Sequence, residues 1–408
     1  DDAFLKGIES LPPGHYLRFE DGRSTVTEYW DPAAAFAAQA DDRGEPWYIE
    51  QLRETLDSAV RYRMIADVPL GAYLSGGVDS SIITALMARQ SKEAVKTFTI
   101  GFAEEGYNEF DYARLVADRY ATEHREIMVS GERYIDEMER LIGFKDAPLA
   151  VPNEVPLHMM SRELKKYITV VLSGEGADEI FCGYGRIYRS PDDYEKLKTA
   201  TDPAFLARAQ NKYGTTRFQS ELDHFLNIYS YTDAGLKQRL LAPEFNNAAH
   251  DDAMRQKFQG LFDRVADQGY TNQIAYSFEK VHLLGLLQRV DMTTMATSVE
   301  ARVPFVDHRL VELAFSIPID YKLRWNEDGK AASRLLLSDE ISETHDTPKY
   351  ILKKAYEDLV PDDVLYRRKM GFPVPLNDWF GGRFRDYARD HLLSAQARAR
   401  GVYNSEGI

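Results

Sequence analysis

A single cysteine, Cys182, stands among 408 residues. One thiol cannot build an internal disulfide framework or a cysteine-rich zinc site, and such usage agrees with a reducing compartment. Excess positive charge is also missing. Lys and Arg number 50 against 65 Asp and Glu, a formal net charge of −15 with a pI near 5.2. That balance speaks against a general electrostatic grip on DNA, RNA or anionic membrane and leaves only a local basic patch open. No apolar run is long enough to cross a bilayer and no signal peptide is visible. The expectation is therefore a cytoplasmic protein with no nucleic-acid or membrane partner. Internal repeats, low-complexity tracts and heptad runs are absent as well.

What is present is ordinary globular material. Hydrophobic residues make up 44% and charged residues 28%, enough to bury a core, and the length exceeds one usual core, so two or three domains are expected.

The chain is organised around residues 72–81, A-Y-L-S-G-G-V-D-S-S. An apolar approach from Val68 to Leu74 runs into Ser75-Gly76-Gly77-Val78-Asp79-Ser80-Ser81, and Ile82, Ile83, Ala85 and Leu86 continue with helical spacing. This reads as strand, glycine turn and helix. Paired glycines let the backbone bend tightly and approach a ligand, and the free N–H groups of the new helix favour an anion. A bare S-G-G is also what a capped tight turn looks like.

Residues 15–19 and 25–30 alternate around Asp21-Gly22, a hairpin signal. Asp31-Pro32 opens an alanine-rich segment, and 41–46 (D-D-R-G-E-P) reads as a linker. Helical spacing then runs through Ile49, Leu52, Leu56, Ala59 and Val60. Strands are expected at 95–102, 126–129 and 168–172, alternating with helices at 109–120, 134–142 and 155–167. Such alternation implies parallel pairing in an open sheet covered on both faces, with ligands beyond the carboxyl ends of the strands. Residues 186–280 read as helical, charged and aromatic. A stronger helix follows at 281–297, with Leu283, Leu284, Leu287, Val290 and Met295 expected mostly in the core and Arg289 and Asp291 among them. Residues 326–329 read as a turn, and the stretch to Thr347 as an exposed excursion.

A second glycine element, 172–179 (L-S-G-E-G-A-D-E), repeats the first arrangement. Three carboxylates in five positions complement a helix dipole. The sharper reading sets Asp178 with Asp79 as hard oxygen ligands for a nucleotide's magnesium, and turns Glu175 to the reacting centre. Cys182 is expected to be a small buried thiol. His124 and His308 lack metal-ligand spacing and are expected to be structural. Glu300, Arg302 and Asp307 read as an ion-pair cluster ordering the V-P-F turn.

S-G-G-V-D-S at 75–80 resembles the pyrophosphate-binding loop of the ATP-pyrophosphatase class, shared by NAD, GMP and argininosuccinate synthetases. S-G-E-G-A-D-E-I-F at 173–181 and M-A-T-S-V-E-A-R-V-P-F-V-D-H at 295–308 resemble the synthetase domain of glutamine-dependent asparagine synthetases. K-Y-I-L-K-K-A at 349–355 and L-Y-R-R-K-M-G-F-P at 365–373 add a fourth match. Together the matches run from about residue 7 to 379 in family order, weakest over 186–280.

The resemblance implies an α/β fold with an open parallel sheet flanked by helices, adenine nucleotide alpha hydrolase-like, plus a helical insertion and C-terminal helices. Residues 1–45 match the closing hairpin and exit linker of a glutaminase domain, and 46–408 an ATP-dependent synthetase domain with the insertion at 186–280. ATP and Mg2+ are the implied cofactors. Leu74, Ser75, Gly76, Gly77, Val78, Asp79, Ser80 and Ser81 match the pyrophosphate loop, and Ile100 a strand residue against adenine. Ser173 and Gly174 match nucleotide contacts, and Asp79 and Asp178 the magnesium carboxylates. Glu175 matches the acidic residue that takes a proton from incoming ammonia. Lys349 and Lys369 match lysines near pyrophosphate and the adenylated intermediate.

The chemistry needs these residue types. A carboxylate resists nucleophiles until adenylation supplies AMP as a leaving group. Charge building on pyrophosphate must meet metal, lysine and backbone N–H groups already in place. The expected partners are a small-molecule carboxylate and ammonia or glutamine, and a homodimer is compatible with the resemblance.

Two departures stand out. The glutaminase domain of the family starts with a cysteine, whereas this sequence starts at Asp1, and family members carry further helices beyond a point matching Ile408; a fragment is expected. Residues 146–156, on the acceptor side in the family, differ from the usual text. Aspartate is the first acceptor expected and a sugar uronic acid the second, with lactam or peptide cyclisation and a non-catalytic nucleotide-binding module as alternatives.

Overall fold

The N-terminal alternation folds as the hairpin it suggests, with β1 (His15–Glu20) antiparallel to β2 (Arg23–Glu28). Asp21 and Gly22 join them at φ 50° and 73°, the left-handed pair that suits a two-residue hairpin turn. The computed structural model describes residues 5, 7–145, 147–382, 384–404 and 406–407. Asp1, Ile408 and Asp146, the first residue of the stretch 146–156 singled out above, lie outside the described residues.

The chain after the hairpin is docked, and the irregular link is shorter than 41–46. Pro32–Ala40 forms a 3-10 helix capped by the Asp31 side chain. Its Phe36 is buried and stacks on Phe315 with ring centroids 4.6 Å apart. Asp31 also accepts hydrogen bonds from Tyr276 Oη at 2.8 Å and Lys280 Nζ at 3.0 Å. Helix Glu45–Arg63 begins at once, buries Leu52, Leu56, Ala59 and Val60, and leads to the central sheet.

That sheet holds β3 (Leu70–Tyr73), β4 (Lys96–Phe102), β5 (Glu123–Val129), β6 (Val170–Leu172) and β7 (Glu300–Arg302). The order is β5-β4-β3-β6-β7, and every pair is parallel. Helices Val78–Gln90, Phe110–Arg119, Tyr134–Lys145 and Glu154–Leu164 follow the strands as the sequence alternation predicts. The winding runs outward through β4 and β5 on one side of β3 and through β6 and β7 on the other. The strand order therefore reverses between β3 and β6, the crevice where open parallel sheets bind ligands. β7 comes from Glu-Ala-Arg, a stretch read above as ion pairs. Arg302 does pair with Glu300 at 2.7 Å. Asp307 joins neither of them and instead binds Arg63 at 2.7 Å and Arg309 at 2.9 Å.

Residues 186–280 are helical, among them Pro203–Tyr213, Glu221–Tyr229 and Ala248–Arg264, around an aromatic core of Phe225, Phe258, Phe262 and Phe278. One π-helical turn, Phe278–His282, leads into helix Leu283–Met295. Leu283 and Val290 of that helix are buried and Leu284 and Leu287 half-buried, but Met295 is 51% exposed. The helix packs on Glu154–Leu164 and β7, and its last turn is split, with Thr293 and Thr294 buried while Met292 and Met295 reach the surface.

The excursion before Thr347 is exposed over much of 326–335, as expected, but it is also anchored to the body of the protein. β8 (Leu323–Trp325) and β9 (Asp346–Pro348) close it as an antiparallel pair. Leu337, Ser338, Ile341 and Asp346 are buried. The buried Arg189 of the insertion binds Asp346 at 2.9 Å and lies 3.7 Å from the Trp325 ring centroid. Among the described residues, no helix is long and apolar enough to cross a membrane.

Candidate functional site

The carboxyl ends of β3 and β6 each open into a serine-glycine turn. On the first, Leu74 is fully buried and its N–H reaches the Phe98 carbonyl at 2.9 Å. Gly76 has φ 72°, and a Cβ there would sit 2.7 Å from both Ala113 N and Tyr112 Cβ. Only glycine fits that position. Gly77 precedes helix Val78–Gln90, and its N–H donates to Ser75 Oγ at 3.2 Å. Ser80 Oγ lies 3.1 Å from Ser75 Oγ and donates to the Gly77 carbonyl at 3.2 Å. Ser81 is buried behind the loop and Val78 half-buried. The serine hydroxyls thus fix a closed loop at a helix N-terminus, where backbone N–H groups and dipole favour an anion.

On the second turn, Ser173 N–H donates to the Arg302 carbonyl at 2.9 Å. Gly174 packs on Asp79 and Ser80, so the two loops touch. Gly176, at φ 94°, reverses the chain into the short helix Ala177–Ile180 carrying Asp178 and Glu179.

Two lysines distant in sequence arrive at the contact. Lys349 Nζ donates to both Asp79 oxygens at 2.7 and 2.6 Å and lies 2.7 Å from Asp178 Oδ1. Lys369 Nζ reaches the same Asp178 oxygen at 2.5 Å. Burial alone would raise the Asp178 carboxyl, but Lys349 and Lys369 hold it well below the usual carboxylate range. Burial likewise opposes charge on Lys349, and Asp178 and Asp79 overcome it, keeping the ammonium firmly protonated. Lys353, one turn further on, is pushed down to about 8 by burial, with the Lys349 charge adding.

The donor chemistry suits magnesium in part. Asp79 and Asp178 turn hard carboxylate oxygens to one point, and a nucleotide-borne Mg2+ takes most of its other ligands from phosphate and water. Among the described residues no group of three or more His, Cys, Asp or Glu forms a cage. The point that both carboxylates face holds the Lys349 ammonium.

Glu175 faces the other side of the crevice. Arg289 Nη2 pairs with its carboxylate at 2.5 Å, and Arg289 Nη1 donates to Asn153 Oδ1 at 3.2 Å. Burial pushes the Glu175 carboxyl up against the pull of Arg289, and Asp178 and Asp79 add to the push. The turn that leads into helix Glu154–Leu164 is shaped by Glu154 itself. That fully buried carboxylate accepts from Ala150 N–H at 2.7 Å, Val151 N–H at 3.2 Å and Lys145 Nζ at 2.7 Å. Ile100 lies half-buried on β4, beside β3, packed with Phe98 and Ile127.

The crevice therefore collects Ser75 to Ser80, Ser173, Gly174, Glu175, Asp178, Lys349 and Lys369, with Leu74 and Ser81 buried behind the loop and Ile100 one strand away. Three polar residues went unassigned in the sequence reading: Arg289, Asn153 and Arg367. Arg367 donates from Nε and Nη2 to the Gly76 carbonyl at 3.2 and 3.0 Å. It also pairs with the half-buried Glu109 at 2.5 Å and covers the Tyr112 ring at 4.4 Å. The only hints were charges within motif text, an arginine among leucines at 289 and the R-R-K run at 367–369. Cys182 is buried, and burial pushes its thiol up to about 11. His124 bonds Thr97 at 2.9 Å, and His308 is exposed beside Asp307 at 4.0 Å.

The asparagine synthase family profile matches residues 51–408. The glutamine-hydrolysing asparagine synthetase 1 of Bacillus subtilis is 30% identical over 410 residues, covering 98% of this chain and 60% of that protein. A putative glutamine-hydrolysing asparagine synthetase of Mycobacterium tuberculosis is 31% identical, covering 97% and 59%. Amidase chry2 of Gibberella zeae is 26% identical, covering 93% and 60%. The chain spans about 60% of the length of these curated relatives.

Proposed function

Since the chain belongs to the asparagine synthase family, we propose that it carries out ATP-dependent, AMP-forming amide synthesis at the crevice between β3 and β6. The observation that carries this reading is the contact of the two loops. It sets an anion-binding helix N-terminus, two carboxylates, two lysines and a separate buried carboxylate around one crevice.

In the proposed reaction an oxygen of the acceptor carboxylate attacks the α-phosphorus of ATP, and the bond to the bridging oxygen of the β-phosphate breaks. The products are an acyl-adenylate and pyrophosphate. The backbone N–H groups of Gly76, Val78, Asp79 and Ser80 receive the β- and γ-phosphates, and Lys349 and Lys369 neutralise charge on the departing pyrophosphate. Magnesium, held by Asp79 and Asp178 when bound, supplies further charge stabilisation. Ile100 offers an apolar surface to adenine, and Ser173 and Gly174 border the nucleotide. Ammonia then attacks the acyl carbon, AMP leaves, and Glu175 accepts the proton released from nitrogen. The raised affinity of its carboxyl for a proton suits a base in a closed site.

Aspartate is the first acceptor we propose. A second reading, amidation of another carboxylate such as a uronic acid or closure of a lactam, is favoured by one observation. The Arg289 guanidinium is already engaged by Glu175 and Asn153 and is not free for a second substrate carboxylate. In the whole protein, glutamine is the proposed nitrogen source. Incubation with ATP, magnesium, ammonium and a panel of acids, followed by mass spectrometry, separates the readings. Amide formation incorporates nitrogen, cyclisation only loses water, and a non-catalytic nucleotide-binding module releases no AMP.

A further inference from the structure

We propose that Lys349 keeps the metal position closed in the free protein and that nucleotide opens it, so that metal enters only with nucleotide. The inference rests on Asp79 and Asp178 being the carboxylates of the nucleotide's magnesium.

The Lys349 ammonium stands where the two carboxylates converge, 2.6 and 2.7 Å from the Asp79 oxygens and 2.7 Å from Asp178 Oδ1. These are short charge-assisted hydrogen bonds. A magnesium ion joined to both carboxylates at about 2.0–2.1 Å would claim the same volume. One cation excludes the other.

The lysine is held there from several sides. It is only 5% exposed. Its backbone has φ 55°, rare for a residue with a side chain and maintained only where the surroundings dictate it. Gly183 leaves the room, because a Cβ at that position would overlap both Lys349 Cε and Asp178. Lys369 already occupies Asp178 from another direction.

A bare divalent ion would have to pull both carboxylates from a buried ammonium and leave that ammonium without an anion, beside a second positive charge. Buried charge without a partner is strongly disfavoured. A nucleotide changes both terms. Its phosphates offer Lys349 a new partner at the neighbouring loop of Ser75 to Ser80, and they complete the coordination of the metal. Lys349 thus has two stations, one on the carboxylates and one on the leaving pyrophosphate.

The test is Mn2+ binding, followed by electron paramagnetic resonance and calorimetry, without turnover. Wild type should bind no Mn2+ alone, yet bind it together with α,β-methylene-ATP. Lys349→Met, which keeps most of the chain length but lacks the ammonium, should take up one Mn2+ without nucleotide at concentrations where wild type takes up none. The added Asp79→Asn substitution should abolish that gain. Wild-type uptake of Mn2+ alone, matching its uptake with the nucleotide analogue, overturns the gate and leaves the nucleotide site standing. No gain in a Lys349→Met protein with native circular dichroism and melting also overturns it. Failure of wild type to bind the analogue with Mn2+ removes the nucleotide reading itself, and the gate with it.

Discussion

Gly174 lies against Asp79 so closely that a Cβ at 174 would come within 2.8 Å of Asp79 Cβ and 2.9 Å of Ser80 N. The meeting of the two loops therefore depends on a missing methyl. Gly174→Ala must push the loops apart, with an expected loss of about 1–3 kcal/mol of stability and weaker nucleotide binding. Gly143, in helix Tyr134–Lys145, has nothing within 4 Å of its Cβ position. Gly143→Ala should leave nucleotide binding unchanged and stabilise by about 0.5–1 kcal/mol. Denaturant unfolding and calorimetry read both.

Arg367 fixes the Gly76 carbonyl while pairing with Glu109. A carbonyl so tethered is kept from turning toward the phosphates. Arg367→Met is expected to weaken ATP binding by about 10- to 100-fold, in line with hydrogen bonds from a charged group worth about 1.5–3 kcal/mol. The effect should appear in KM for ATP more than in kcat. An equal loss in kcat with KM unchanged would contradict this role.

Burial pushes the Glu279 carboxyl up to about 7 from an ordinary 4.5, with Lys280 opposing, and Oε2 is buried without a hydrogen-bond partner. The folded state therefore binds this proton more tightly than the unfolded chain. The stability it contributes is fully present below about pH 4.5 and is lost as pH rises toward 7. Glu279→Gln should melt higher than wild type at pH 8, and the difference should shrink toward pH 4.5. Melting curves across that range check the sign.

Asp31 ties the segment after the hairpin to Tyr276 and Lys280. Asp31→Ala also removes the cap on Pro32–Ala40. A loss of about 1.5–3 kcal/mol is expected, together with faster proteolysis near residues 41–44. Unfolding curves and limited proteolysis measure the two.

Much of this architecture is legible in the sequence, for physical reasons. The hairpin, the alternation of strand and helix, and both glycine turns are local features, written in period-two patterns and in glycines such as Gly76 and Gly176 that must adopt positive φ. β7 was missed because an edge strand of three residues has no room for a period. The β8 and β9 pair was missed because twenty residues separate Trp325 from Asp346, and the signal that anchors them is Arg189, far upstream. The arginines at the site behave alike. Arg289 meets Glu175 across 114 positions and Arg367 meets Gly76 across 291. Nor does any local pattern show that Lys349 rests between the two acidic residues. Only the folded sheet brings those charges together.

The central claim, adenylation of a carboxylate at the two-loop crevice, is tested most directly by acid-dependent exchange of labelled pyrophosphate into ATP. With magnesium present, the protein should exchange label only when the correct acid is supplied. Asp79→Asn and Asp178→Asn, each folded by circular dichroism, should each reduce exchange to background. Exchange that persists in both variants, or no exchange with any acid by a protein that binds ATP, would contradict the account.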